Sequence, residues 1–307
     1  MEKIIITSGD PAGCGPYIVL KAIQKINNPN IKFFVVGDYK IFSKISTFWK
    51  VNKNFELINA DTVDIDKIKY GYPSIISGKA SLNYIDIALK FLKKYKIKRL
   101  VTAPVSKEAI KLIYKDFIGH TEYLQKYFKV KNVEMMMVSG ALKIVLFTRH
   151  HLLRNVSKFI KKNKLIETFF LVHYSLKNLF CIKSPKIVIA SFNPHAGIDT
   201  FLGEEEKIIY SAINSFKEKL YGPYPADTLF LKNNLSKYDC FICLYHDQGM
   251  IPFKILSFKK GVNLTLGLPI IRTSPAHGVA YDVIRFGKNP FYFSMLEAIK
   301  LALSLKI

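Results

Sequence analysis

Met1-Glu2-Lys3-Ile4-Ile5-Ile6-Thr7-Ser8-Gly9-Asp10-Pro11-Ala12-Gly13-Cys14-Gly15-Pro16 opens the chain and sets the reading of the rest. A short apolar run, expected as a strand over 3–8, feeds a glycine-rich loop. The loop in turn feeds an amphipathic stretch, expected as a helix over 15–27. Three glycines permit tight turning and close approach of a ligand to the backbone, and a structural turn accounts for them equally well. The spacing is neither the dinucleotide fingerprint G-x-G-x-x-G nor a P-loop.

Further along, the same alternation recurs. Apolar runs at 32–37, 98–102, 132–138, 143–148, 186–191, 240–245 and 261–266 predict strands. Amphipathic stretches at 80–95, 105–114, 163–178, 203–219 and 290–305 predict helices. The helix over 80–95 is the clearest, with apolar residues at 82, 85, 88–89 and 92 on one face. Alternating strands and helices indicate an α/β protein, and 307 residues favour two domains over one. No repeat or low-complexity linker marks a boundary, which fits domains joined by crossing strands.

Half the residues are hydrophobic, too many for a disordered chain. No apolar run approaches the roughly 18–20 residues of a membrane span, and the start lacks a signal-peptide layout. A soluble cytoplasmic protein is expected. The net charge of +23 raises nucleic-acid binding as an option. The lysines are scattered, arginines are few and no nucleic-acid motif is present, so no nucleic-acid partner is expected. The positive field should still concentrate small anions. Cys14, Cys181, Cys240 and Cys243 are too few and too irregular for a disulfide framework. Cys240 and Cys243 have C-x-x-C spacing but lie inside an apolar run, which reads as a core strand.

The histidines carry the chemistry. His120, His195, His246 and His277 each sit in a turn-like motif that contains a glycine: Gly119-His120-Thr121-Glu122, Asn193-Pro194-His195-Ala196-Gly197, Tyr245-His246-Asp247-Gln248-Gly249 and Ala276-His277-Gly278. His150 and His151 follow the apolar run Ile144-Val145-Leu146-Phe147. Histidines at strand mouths spread over half the chain suggest an active site assembled by folding, with a metal in it. The run at His120 reads as a helix start that favours an anion, or as a plain cap by Thr121. Ser106 or Lys107, in Thr102-Ala103-Pro104-Val105-Ser106-Lys107, is available to a substrate. Asp227-Thr228 is equally open. Lys254, Asn263 and Arg272 lie among apolar residues, where a cation either snorkels to water or meets an anionic ligand.

Taken in order, these motifs resemble the 4-hydroxythreonine-4-phosphate dehydrogenase family of pyridoxal phosphate biosynthesis, nearly end to end. The most specific are Asn193–Gly197 and Tyr245–Gly249. The resemblance implies a two-domain fold like isocitrate and isopropylmalate dehydrogenases, with a cleft between domains. It also implies a homodimer whose active site takes residues from both subunits. On that basis residues 1–105 with 255–307 would form a discontinuous first domain. Residues 106–254 would form a second, carrying most metal and dimer-interface residues.

By motif, His150, His195 and His246 would hold one divalent metal per site, such as Zn, Mg or Co. His150 is preferred to His151 because Thr148-Arg149-His150-His151-Leu152-Leu153-Arg154 matches the family's Thr-x-His-x-x-Leu-Arg. His120, Thr121, Lys254, Asn263 and Arg272 would bind substrate. Asp247 and Lys254 are the catalytic candidates, Asp247 for orienting a ligand histidine or moving a proton. Gly9, Asp10, Gly13, His277 and Gly278 are the candidates for NAD or NADP. The implied reaction is oxidation of 4-phosphohydroxy-L-threonine at the carbon bearing the 3-hydroxyl. Loss of carbon dioxide would then give 3-amino-2-oxopropyl phosphate.

The chain departs from the family pattern at Tyr17, Ile198, Ala276 and Val279, and in the stretch Val283-Ile284-Arg285-Phe286-Gly287. These departures leave two rival readings: a paralogue oxidising threonate or erythronate 4-phosphate, and a weakened member that binds phosphorylated ligands without turnover.

Overall fold

The structure is a computed structural model and describes residues 1–45, 55–62, 64–197, 203–257 and 259–307. Ile198 therefore lies outside the described residues. The chain divides into two compact units. The first is Met1–Lys129 with Leu268–Leu305 and Ile307, and the second is Val130–Gly267 with Lys306.

The N-terminal part of the first unit runs β1 (Glu2–Thr7), α1 (Gly15–Gln24), β2 (Ile31–Gly37), α2 (Tyr39–Ser43), β3 (Phe55–Asn59), α3 (Ile75–Tyr95), β4 (Arg99–Thr102), α4 (Lys107–Lys111) and α5 (His120–Phe128). The expected strands are present: that at 3–8 shifted one residue earlier, that at 32–37 starting one residue sooner and that at 98–102 one residue later, while the first helix ends three residues short of 27. Helix α3 starts five residues before its apolar stripe suggested, because Ser74 and Ser77 form a reciprocal capping box. It ends where Lys96 turns left-handed. Helix α4 packs tightly on α3: a Cβ at Gly78 would come within 2.2 Å of the Ala109 carbonyl oxygen. That contact keeps α4 in the first unit.

The second unit contains β5 (Glu134–Ser139), β6 (Leu142–Leu146), α6 (Lys162–Asn178), β7 (Ile187–Ala190), α7 (Glu204–Ser215), β8 (Leu220–Tyr224), α8 (Ala226–Leu229), α9 (Lys232–Leu235), β9 (Cys240–Cys243), α10 (His246–Ser257) and β10 (Val262–Leu266). Its strands lie in the order β10-β5-β6-β9-β7-β8. β10 and β6 flank β5 antiparallel, whereas β6-β9-β7-β8 is a parallel run. The pairing of Val262–Leu266 with β5 holds those residues in the second unit. The boundaries at 105/106 and 254/255 expected from sequence thus lie ahead of those between the compact units.

The chain then returns to the first unit with β11 (Ile271–Pro275), α11 (Tyr281–Arg285) and α12 (Phe293–Ser304). That unit's strands are all parallel, in the order β3-β2-β1-β4-β11. Strands β1 and β2 bury nearly continuous runs, as parallel strands covered on both faces do. Arg99 donates from Nε to the Ala302 carbonyl at 2.8 Å and from Nη2 to that of Leu305 at 3.1 Å, satisfying the free carbonyls at the end of α12. Cys240 and Cys243 are fully buried in β9, and burial pushes both thiols up, Cys240 to about 12. Their expected place in the core holds. Among the described residues no helix is long and apolar enough to cross a membrane.

Candidate active site

Three of the singled-out histidines follow the C-terminal ends of adjacent parallel strands. His150 comes after β6, His246 after β9 and His195 after β7, and β9 lies between the other two. Carboxyl ends of parallel strands are where α/β proteins place ligands, because the strand-to-helix loops emerge there. The His150 and His246 rings lie 5.9 Å apart, centroid to centroid. Residues Thr148–Leu153, Val156 and Tyr245–Asp247 line a cavity of about 330 Å³.

Each loop is pinned locally. Thr148 donates from Oγ1 to the Leu244 carbonyl at 2.6 Å, tying the loop after β6 to the end of β9. The Glu206 carboxylate accepts from the backbone N–H groups of Phe192 and Asn193 and from Asn193 Nδ2, clamping the loop after β7. Within that loop His195 (φ 56°) and Ala196 (φ 55°) are both left-handed. Consecutive non-glycine residues in that region store strain of roughly 1–3 kcal/mol each, a feature that clusters at binding sites. Gln248 takes the Leu244 N–H on Oε1 and donates from Nε2 to the Ser191 carbonyl, both at 2.7 Å. It thereby joins the ends of β9 and β7 beneath His246.

His246 Nδ1 lies 2.7 Å from Asp247 Oδ1. A carboxylate on Nδ1–H fixes the tautomer that leaves Nε2 as a lone-pair donor, the usual arrangement of a metal-binding histidine. The donor set therefore fits a divalent metal. Among the described residues, however, no three His, Cys, Asp or Glu side chains of one chain are gathered closely enough to hold an ion. Lys254 is half-buried in the last turn of α10, about 12 Å along the helix axis from His246. Asn263 stands in β10, and its Oδ1 is buried without a hydrogen-bond partner.

The remaining candidates belong to the first unit. His120 opens α5, with Thr121 buried beside it. His120 Nε2 is buried without a hydrogen-bond partner. Desolvation holds the ring well below the usual imidazole pKa, assisted by the positive charges of Arg272 and Lys107, so it is neutral. Arg272, in β11, is 2% exposed and donates from Nη2 to Thr102 Oγ1 at 2.6 Å. Burial lowers its pKa to about 10, opposed by the charge of Glu122, and it remains a cation. Ser106 caps α4 by accepting from the Ala109 N–H.

Loop Ser8–Pro16 is stitched to the segment after β11. Cys14 donates its N–H to the Val279 carbonyl at 2.9 Å, and a Cβ at Gly13 would meet that same oxygen at the same distance. The Asp10 carboxylate accepts from the Ala12 N–H at 2.8 Å and from the Tyr281 hydroxyl at 2.7 Å. Burial raises Asp10 above the usual carboxylate range, against the lowering effect of hydrogen bonds from Tyr281, Ala12, Ser77 and Ser106. Gly13 and Asp10 are thus engaged by the protein itself. Gly278, in contrast, has nothing within 4 Å of where a Cβ would stand. His277 Nδ1 sits 2.9 Å from its neighbour's carbonyl oxygen. Sequence reasoning missed Tyr281, Glu206 and Gln248. Only the Gln248 position, inside a histidine motif, carried a local signal.

The family description "Pyridoxal phosphate biosynthetic protein PdxA" matches residues 21–302. A 4-hydroxythreonine-4-phosphate dehydrogenase of Sulfurihydrogenibium is 38% identical, covering 100% of this chain and 99% of that one. A provisionally named D-threonate 4-phosphate dehydrogenase of Oceanobacillus iheyensis is 36% identical, covering 98% and 96%. The crystal structure of 4-hydroxythreonine-4-phosphate dehydrogenase from Klebsiella pneumoniae superposes with a TM-score of 0.84 at 28% identity, over 99% of this chain and 97% of that one. Sequence motifs, an α/β fold shared with solved members and a match along nearly the whole length agree: this chain belongs to the PdxA family of dehydrogenases.

Proposed function

We propose that the protein oxidises 4-phosphohydroxy-L-threonine with NAD or NADP and a divalent metal, releasing carbon dioxide and 3-amino-2-oxopropyl phosphate for pyridoxal phosphate synthesis. The observation that carries the reading is the placement of His150, His246 and His195 after three neighbouring parallel strands, with Asp247 on the Nδ1 of His246. When bound, the metal polarises substrate oxygens and the nicotinamide accepts a hydride.

In this reading the three imidazoles hold the metal and Asp247 orients His246. Buried Arg272, braced by Thr102, meets the phosphate or carboxylate of the substrate as a charge-assisted donor. Neutral His120 and its neighbour Thr121 contact substrate from the start of α5. Asn263 offers its buried Oδ1 to a substrate hydroxyl or amino proton. Lys254 supplies an ammonium for the substrate, or a proton for the carbon that loses carbon dioxide.

The site is completed by a second copy. One observation supports this: the exposed apolar side chains of Ile251, Ile255 and Leu256 on α10, the helix that carries both His246 and Lys254.

The Oceanobacillus relative makes D-threonate 4-phosphate the comparison substrate. The test follows absorbance of the reduced nicotinamide with either substrate, with and without a chelator. Chelator-sensitive reduction with the amino substrate is expected. Reduction only with threonate 4-phosphate would replace this substrate, and none with either, in folded metal-replete protein, would sink the reading.

A further inference from the structure

The first unit contains a second cavity, about 400 Å³, lined in part by Gly13 of the loop after β1. Its volume lies within the roughly 300–1,000 Å³ of small-molecule sites. Pro16, Ile41 and Ile284 give it an apolar floor, and Tyr17 and Tyr70 contribute rings. The Tyr17 hydroxyl donates to Asn289 Oδ1 at 3.3 Å, which restrains that ring. Gly287 lines the same cavity with φ +64°, and a Cβ there would meet nothing within 4 Å, so its backbone is open to a ligand. Lys44, just after α2, and Lys288, shortly after α11, reach the rim. No carboxylate is present among the described lining residues.

That combination selects among nucleotides. An aromatic and aliphatic slot suits a purine ring. The ribose diol of NAD is commonly held by a carboxylate, which accepts from both hydroxyls, whereas the 2′-phosphate of NADP calls for cationic donors. This lining offers ammonium donors and no acceptor of that kind. We propose that the cavity receives the adenosine end of NADP, that Lys44 and Lys288 bind its 2′-phosphate, and that the protein therefore prefers NADP to NAD. The proposal rests on the reading of the chain as an NAD(P)-dependent dehydrogenase and adds the residues that choose the nucleotide. It also gives a role to Tyr17 and Gly287, which line the cavity.

The test needs no substrate. Full-length protein is titrated with NADPH and, separately, NADH, and nicotinamide fluorescence is followed at low salt. NADPH should bind at least roughly tenfold more tightly, the scale of a charge-assisted contact. Lys44→Ala and Lys288→Ala should each weaken NADPH several-fold while leaving NADH within about twofold, and the gap should shrink as salt rises. Both lysines are exposed, and unchanged circular dichroism checks that the variants fold. NADH binding as tightly as NADPH would overturn this inference alone. So would an NADPH affinity untouched in the double variant. Failure of both nucleotides to bind would overturn the dehydrogenase reading with it.

Discussion

The neighbour of His246 prepares it to hold a metal. Asp247 sets the tautomer of His246, so Asp247→Asn should weaken metal binding roughly 10- to 100-fold. Binding can be measured by competition with a chromogenic chelator. His151→Ala should leave the affinity unchanged, because its ring is turned onto Phe159 at 3.9 Å between centroids. An equal loss in both variants would remove the case for His150 over His151. Arg272→Lys should raise KM more than it lowers kcat, because an ammonium cannot both hold Thr102 and present a planar fork to an anion. The histidines were legible because each lies in a short motif, His195 and His246 with a glycine close by and His150 directly after an apolar run. Asp10 and Tyr281 were not legible as a pair, being 271 residues apart. No periodicity or spacing announces a contact that folding alone creates.

Helix α10 is the element that sequence rules conceal most effectively. It contains Gly249 and Pro252, both poor interior helix residues, and its apolar stretch Ile251-Pro252-Phe253 does not read as a helix. The structure supplies the reason for the glycine. A Cβ there would stand 2.7 Å from Leu146 Cδ2 and 2.9 Å from Ile144 Cγ2, so the helix lies directly on β6. Gly249→Ala should therefore cost about 1–3 kcal/mol in urea denaturation, despite alanine's better helix propensity. A stabilised variant would show that the sheet yields there. Strand β11 was hidden for a related reason: it is short, bounded by Pro269 and Pro275, and carries an arginine in the core. The strands β1, β2 and β9 were readable because their apolar runs are nearly uninterrupted. Helix α3 was readable from its stripe, although its cap was not. Ser74→Ala should remove that cap at a cost of about 1 kcal/mol.

Across the whole molecule, pH acts through at least one buried carboxyl group outside the candidate site. Glu134 accepts from Thr168 Oγ1 at 2.7 Å, and burial pushes its pKa from 4.5 up to about 7, against the lowering pull of Thr168, Arg149 and Lys164. The folded chain therefore keeps this proton to near neutrality, whereas the unfolded chain releases it near 4.5. Its stabilising contribution is complete below about pH 4.5 and is lost as pH rises to about 7, by roughly 2–3 kcal/mol. Glu134→Gln should flatten that decline, read as the difference between unfolding free energies at pH 5 and pH 8. A decline of unchanged slope would assign it to other groups.

The division of the chain also bears on the order in which it is made. β4 pairs with β11, Arg99 opposite Ile271, so the first unit's parallel sheet keeps an open edge until Ile271–Pro275 has left the ribosome. The second unit is nearly continuous and has all its strands by Leu266. During synthesis the middle of this chain can thus be folded before its beginning is finished, the reverse of the usual N-terminal-first order.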